Sequence, residues 1–172
     1  MKNLKYILVL FIIAFSNCSQ GQIRNNLTTT EYSSIKINGI NWRQINDTKA
    51  NVNQMKTLFG NDIIVTTGTE PSLHKELWND SKGFYFYFEE NNPNDPNDYM
   101  LYDFKITNSN SNITLKGKTV TVGTNISELG NVQINASGSD IVYGTSTTDD
   151  ILMIKFNPAT NLITSIEYTL FN

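Results

Sequence analysis

The stretch "GFYFYFEE", residues 83–90, constrains the fold more than any other segment. Three phenylalanines alternate with two tyrosines, and only an extended strand sorts such a period of two onto two faces. Phe84, Phe86 and Phe88 point one way and Tyr85 and Tyr87 the other. The chain must contain a sheet with one strongly apolar face, and something must cover that face.

Neighbouring segments extend the sheet. "NNPNDPND" breaks the strand, and "YMLYDFKI" returns with Met100, Tyr102, Phe104 and Ile106 alternating, which predicts a hairpin with a long polar tip. "DIIVTT" reads as a short strand, followed by a loop over 68–77 around Pro71. Further strands fit "NVQINA", "DIVYG", "DILMIKF" and "NLITSIEYTLF". The turn "NPATN" between the last two sets Phe156 opposite Leu162, and Ser165, Glu167 and Thr169 mark a wet face.

Two tight hairpins stand out. In "SIKINGINWRQ", Asn38-Gly39 suits a type I′ turn, which puts Ile35, Ile37, Ile40 and Trp42 on one face. Trp42 is thereby assigned to the core. "ITLKGKTVTV" turns in the same way at Lys116-Gly117. A helix follows the first hairpin: Asp47 or Thr48 caps it, Val52, Met55 and Leu58 or Phe59 recur at helical spacing, and Gly60 ends it. After the second, Thr124 is expected to cap one or two turns that end at Gly130.

Both halves run apolar residue, glycine turn, strand, capped helix, then Leu, Gly and Asn near the stop. The interval Gly39 to Gly60 is eight residues longer than Gly117 to Gly130. The expected fold class is α+β and β-rich: two degenerate helix-plus-antiparallel-sheet units over 35–106 and 113–172, within a single domain 35–172. Chance recurrence of common elements is the alternative.

The order helix, "LxG", antiparallel meander resembles the small outer-membrane lipoproteins of the barrel-assembly machinery. Its tandem form is similar to β-lactamase inhibitor proteins. The order strand, helix, "LFGN", "LWNDSKGFYFYFE" also resembles an uncharacterised family of exported and immunity-type proteins of Gram-negative bacteria. The family glycine matches Gly60 and Gly130, whereas the proline that often follows it is replaced by Asn61-Asp62 and Asn131-Val132. The resemblance spans most of residues 35–172 as element order and implies protein–protein binding at the envelope rather than catalysis.

The amino terminus reads as an export signal. Lys2 and Lys5 precede the apolar run from Tyr6 to Phe15, which is far short of the roughly 20 residues that span a bilayer as a helix. Cys18, the only cysteine, stands where a bacterial lipoprotein signal places its acceptor thiol, although Phe15-Ser16-Asn17-Cys18 keeps only the Ser of the usual pattern. Residues 1–17 are the expected signal peptide, Cys18 the expected lipidation site, and 18–34 a flexible polar tether. Ordinary signal-peptide cleavage after Ser16 or Gly21 is the alternative. The expected location is the outer membrane, facing periplasm or cell surface, or else the secreted fraction.

A lone cysteine permits no disulfide within the chain, so packing must supply the stability; about 155 residues from Cys18 on suffice for one core. Without Lys2 and Lys5 the basic count falls from 13 to 11, against 16 acidic residues, a formal charge of −5. With no Lys/Arg cluster, nucleic acid is not an expected partner.

Catalytic patterns are missing. His74 is the single histidine and reads as a solvated loop residue; no Gly-x-Ser-x-Gly elbow accompanies it. One histidine beside one cysteine excludes the familiar zinc sites. Glu89, Glu90, Asp95, Asp98 and Asp103 are candidate paired carboxylates, yet most flank a loop too Asn- and Pro-rich to hold catalytic geometry. That loop lacks the calcium-loop spacing and reads as a mobile tip, and Asp149-Asp150 as a turn before a strand. No enzyme, cofactor, metal or small-molecule ligand is expected.

Surface recognition remains. Trp78, Tyr85 and Tyr87 are the candidate partner-binding residues, since tyrosine and tryptophan are enriched at interface hot spots. Cross-strand packing is their plain alternative role. The expected function is non-catalytic binding of another protein at the envelope, as an immunity or inhibitor protein or an accessory lipoprotein. The rival is a glycan-binding module that stacks sugars on the same rings.

Overall fold

The computed structural model describes residues 23–67 and 74–169, the side chain of Thr67 excepted. The signal, Cys18 and the first residues of the tether lie outside them. In order, the chain forms β1 (Arg24–Asn26), α1 (Thr29–Ser33), β2 (Lys36–Ile37), β3 (Ile40–Asn41), α2 (Trp42–Asp47), α3 (Val52–Phe59), β4 (Ile64–Thr67), β5 (His74–Asn79), β6 (Phe84–Glu90) and β7 (Tyr99–Ile106). It continues with β8 (Asn112–Leu115), β9 (Lys118–Thr121), a 3-10 turn over Ile126–Leu129, β10 (Asp140–Gly144), β11 (Ile151–Asn157) and β12 (Leu162–Thr169).

The result is an α+β fold dominated by sheet. Eight strands join in the order β1-β10-β11-β12-β7-β6-β5-β4, and four more in the order β3-β2-β8-β9. All pairings are antiparallel except β1 with β10. The meander β4 to β7 meets the meander β10 to β12 through their last strands, and the two tight hairpins meet through their first strands, β2 and β8.

Local chemistry explains the turns. Asn38 and Gly39 have φ 51° and 80°, and Lys116 and Gly117 have 51° and 74°, the positive pairs a type I′ turn requires. The hairpin arms are shorter than expected. Asn41 leaves the strand to cap α2, taking the N–H of Arg43, while Gln44 reaches back to its backbone, so Trp42 opens a helix. Trp42 still packs on the core, its ring 5.2 Å from Tyr32 and 6.4 Å from Tyr168.

The expected helix forms as α3, but α2 precedes it where the hairpin strand is expected to continue. Lys49 and Ala50 sit at φ 48° and 56° and separate the two, so Asn51, rather than Asp47 or Thr48, caps α3. Gly60 ends it as expected, at φ 100°. Later, Asn125 rather than Thr124 caps the short 3-10 turn before Gly130. "NVQINA" is not a strand; Asn135 instead turns the chain back towards Asp140.

The tether expected over 18–34 is structured from Arg24 on. Strand β1 adds in parallel to β10, and α1 carries a complete capping box between Thr28 and Glu31. Leu27 and Tyr32 are buried, which the polar composition around them concealed. The folded domain therefore starts some ten residues earlier than Ile35.

One face of the large sheet builds the core. Phe84, Phe86, Phe88, Leu77, Phe104, Ile106, Ile154 and Ile166 are buried there. Phe59 of α3 sits 5.1 Å from both Phe84 and Phe86, and Met55, Ile45, Ile37 and Ile113 from the helices and small sheet join the same cluster. Burying a side chain of this size contributes about 1.5–3 kcal/mol. A bulge where the β6–β7 register shifts between Tyr87 and Phe88 turns Tyr99 and Leu101 inward, in place of Met100 and Tyr102. A second shift at Lys155/Phe156 pairs Phe156 with Ile163 rather than Leu162.

Candidate functional site

Among the described residues the helices pack on the core face of the large sheet, and the other face carries none. Alternation makes it from His74, Glu76 and Trp78 on β5, Tyr85, Tyr87 and Glu89 on β6, and Asp103 and Lys105 on β7. The loop predicted over 68–77 gives way to strand from His74, because His74-Glu76-Trp78 alternates with Lys75-Leu77-Asn79. That alternation was the available signal for Glu76.

The three predicted site residues come together. Trp78 lies directly opposite Tyr85, and Tyr87 opposite Glu76. All three are half-buried, and among the described residues no helix covers them. His74 is no free loop residue: it stacks on Tyr87 with ring centres 5.3 Å apart. The bulge brings Tyr102 edge-on to Tyr87 at 6.1 Å, adding a ring that simple alternation assigned to the core.

Two hollows flank Tyr85. One of about 350 Å³ is lined by Glu76, Trp78, Asn79, Asp80, Tyr85 and Thr107 among others. The other, about 210 Å³, lies between Tyr85, Asp103, Lys105, Glu167 and Thr169. Burial, reinforced by the adjacent Glu76 carboxylate, pushes the Tyr85 hydroxyl well above its ordinary pKa, so it stays protonated and able to donate. Tyr87 is raised likewise, by burial and then by Glu89. Burial also raises Asp103.

The charge on this face is lopsided. Lys105 and Lys155 both turn to Glu167, at 3.1 and 2.7 Å. Glu76, Asp80, Glu89 and Asp103 form no ion pair among the described residues. The candidate carboxylates do not converge: Glu89, Asp95, Asp98 and Asp103 are spread from strand to tip, and Asp98 is engaged by Lys49 at 2.7 Å. Among the described residues no three His, Cys, Asp or Glu side chains are grouped to hold a metal.

Asp150, read as a turn residue, is instead buried, and the Tyr32 hydroxyl donates to it. Among the described residues no helix is long and apolar enough to cross a membrane. Compared with known proteins, the chain matches no family model, no curated protein and no solved structure.

Proposed function

We propose that this chain is an exported, non-catalytic protein, lipid-anchored through Cys18, that binds another protein at the cell envelope with the open face of its eight-stranded sheet. One observation carries the reading: Trp78, Tyr85 and Tyr87 share a face that no described helix covers, with hollows on either side of Tyr85. Rigid aromatic rings on a sheet lose little entropy when a partner covers them, which is how a few residues come to dominate an interface. The resemblance to immunity-type and inhibitor proteins points the same way. The two meanders meeting through β7 and β12, and the two hairpins through β2 and β8, support two tandem units arranged about a common axis.

The test is capture from envelope extracts by the full chain and by Tyr85→Ala/Tyr87→Ala, with thermal midpoints compared. Lost capture at an unchanged midpoint supports the face as the binding surface; undiminished capture sinks it. Binding on a glycan array without protein capture selects the sugar-stacking module instead. Palmitate labelling of the wild type, absent in Cys18→Ser, tests the anchor.

A further inference from the structure

We propose that the hollow between Trp78 and Tyr85 seats an arginine or lysine side chain of the protein partner. The inference rests on the open sheet face being the partner surface, and it names what that surface recognises.

The walls and the rim suit different parts of such a side chain. Trp78 and Tyr85 are cross-strand neighbours on β5 and β6 and both line the hollow, which gives an aliphatic stem and the cation at its end aromatic surface to pack on. Glu76 and Asp80 line the same hollow, so a guanidinium or ammonium inside it would meet carboxylate oxygens. At about 350 Å³ the space is near the low end for ligand sites, enough for one long side chain with its adjoining backbone.

Charge selects the occupant. Glu76, Asp80, Glu89 and Asp103 have no cationic partner among the described residues, while Lys105 and Lys155 are held by Glu167. An acidic or purely apolar partner would leave these carboxylates desolvated and uncompensated, a cost a basic partner removes. Tyr85 and Tyr87 give their hydroxyl protons to Glu76 and Glu89 but bring no positive charge. A basic segment is therefore favoured over a neutral glycan, whose hydroxyls can donate to the carboxylates but leave their negative charge uncompensated.

Calorimetric titration of the full chain in detergent micelles, using a decapeptide of alternating Arg and Ser, tests the proposal. Saturable binding is expected, weakened about tenfold by Glu76→Gln and by Asp80→Asn with the thermal midpoint unchanged, the scale of one hydrogen bond to a charged group. A matched decapeptide with Glu for Arg should not bind. No saturable binding of the basic peptide, equal binding by both variants, or binding of an N-acetylglucosamine hexamer in its place would each overturn the cationic seat. If partner capture falls in Tyr85→Ala/Tyr87→Ala yet is untouched by Glu76→Gln/Asp80→Asn, the face stands and the seat falls. If capture survives both pairs, the face itself is not the partner surface.

Discussion

Tyr32 and Asp150 are 118 positions apart in sequence, and the tyrosine's hydroxyl donates to the buried carboxylate. A tyrosine has one proton to give, so the 2.8 Å contact between Tyr32 and Tyr168 has Tyr168 as the donor. The chain Tyr168 to Tyr32 to Asp150 ties α1 to β12 and to the start of β11. Asp150 is 4% exposed, its Oδ1 has no hydrogen-bond partner among the described residues, and its Oδ2 accepts from Tyr32.

Tyr32→Phe therefore removes more than one hydrogen bond. It leaves a buried carboxylate bare, and the expected loss is about 2–4 kcal/mol. Tyr168→Phe leaves the bond to Asp150 in place and should cost about 1 kcal/mol. Urea unfolding midpoints compare the two; equal losses would mean that Asp150 draws its support from elsewhere.

Alkali should unfold the protein before its inner tyrosines ionise. Burial raises Tyr32, with Tyr168 and Asp150 adding to the effect. Burial also raises Tyr168 and pushes Tyr143 up to about 12, against an ordinary 10.0. A raised value means that the folded state keeps protons which the unfolded chain releases. The contribution is complete below the ordinary value of 10.0 and is lost as pH rises above it. Tyrosinate absorbance and circular dichroism should change together in that range, and three tyrosines titrating in a still-folded chain would contradict the burial.

How far these features could be read in advance depended on whether the signal was local. The period of two in β6, the Asn38-Gly39 and Lys116-Gly117 turns and the Gly60 stop are each written in adjacent residues, and they hold in the structure. The misassigned residues involve long-range partners. Tyr32 and Leu27 sit in a polar stretch, and their burial depends on β10, β12 and Asp150. Tyr102 changed faces because a bulge slipped one strand past another, a shift no single segment encodes. Trp78, Tyr85 and Tyr87 were legible as one patch, but Glu76 was hidden by reading 68–77 as loop, and Asp80 joins the patch only through the turn after β5.

Gly83 and Gly117 should respond differently to alanine although both have positive φ, 66° and 74°. A Cβ on Gly117 meets nothing within 4 Å, so only the left-handed backbone resists, at about 1–2 kcal/mol. A Cβ on Gly83 would overlap the Asn108 side chain, 2.2 Å from its Cγ. That amide donates to the Asp80 carbonyl and accepts from the Asn110 N–H, so moving it loosens the loop that carries Asp80. Gly83→Ala should cost about 2–3 kcal/mol, the backbone strain plus one displaced hydrogen bond, and weaken binding of a basic peptide. Equal thermal shifts in the two variants would refute the steric argument.

Glu167 decides the sign of the second hollow. Burial opposes its charged form, but Lys155, Lys105 and Ser165 outweigh that and hold its pKa below the ordinary 4.5. A lowered carboxylate value means that the stability it brings is present above the unfolded value of 4.5 and fades as pH falls through the folded one. Both lysine partners are about half exposed, so Glu167→Gln should cost no more than about 1 kcal/mol, a difference that shrinks in high salt. Its effect on recognition should be larger than its effect on folding. With Glu167 neutral, Lys105 beside Tyr85 and Asp103, and Lys155 on the far side of Glu167, lose their ion pairs and repel a basic partner. Stopped-flow association of the Arg-Ser decapeptide should slow in this variant at low salt and converge with wild type as salt is raised. An association rate unchanged at low salt would show that the field of this face does not guide its partner.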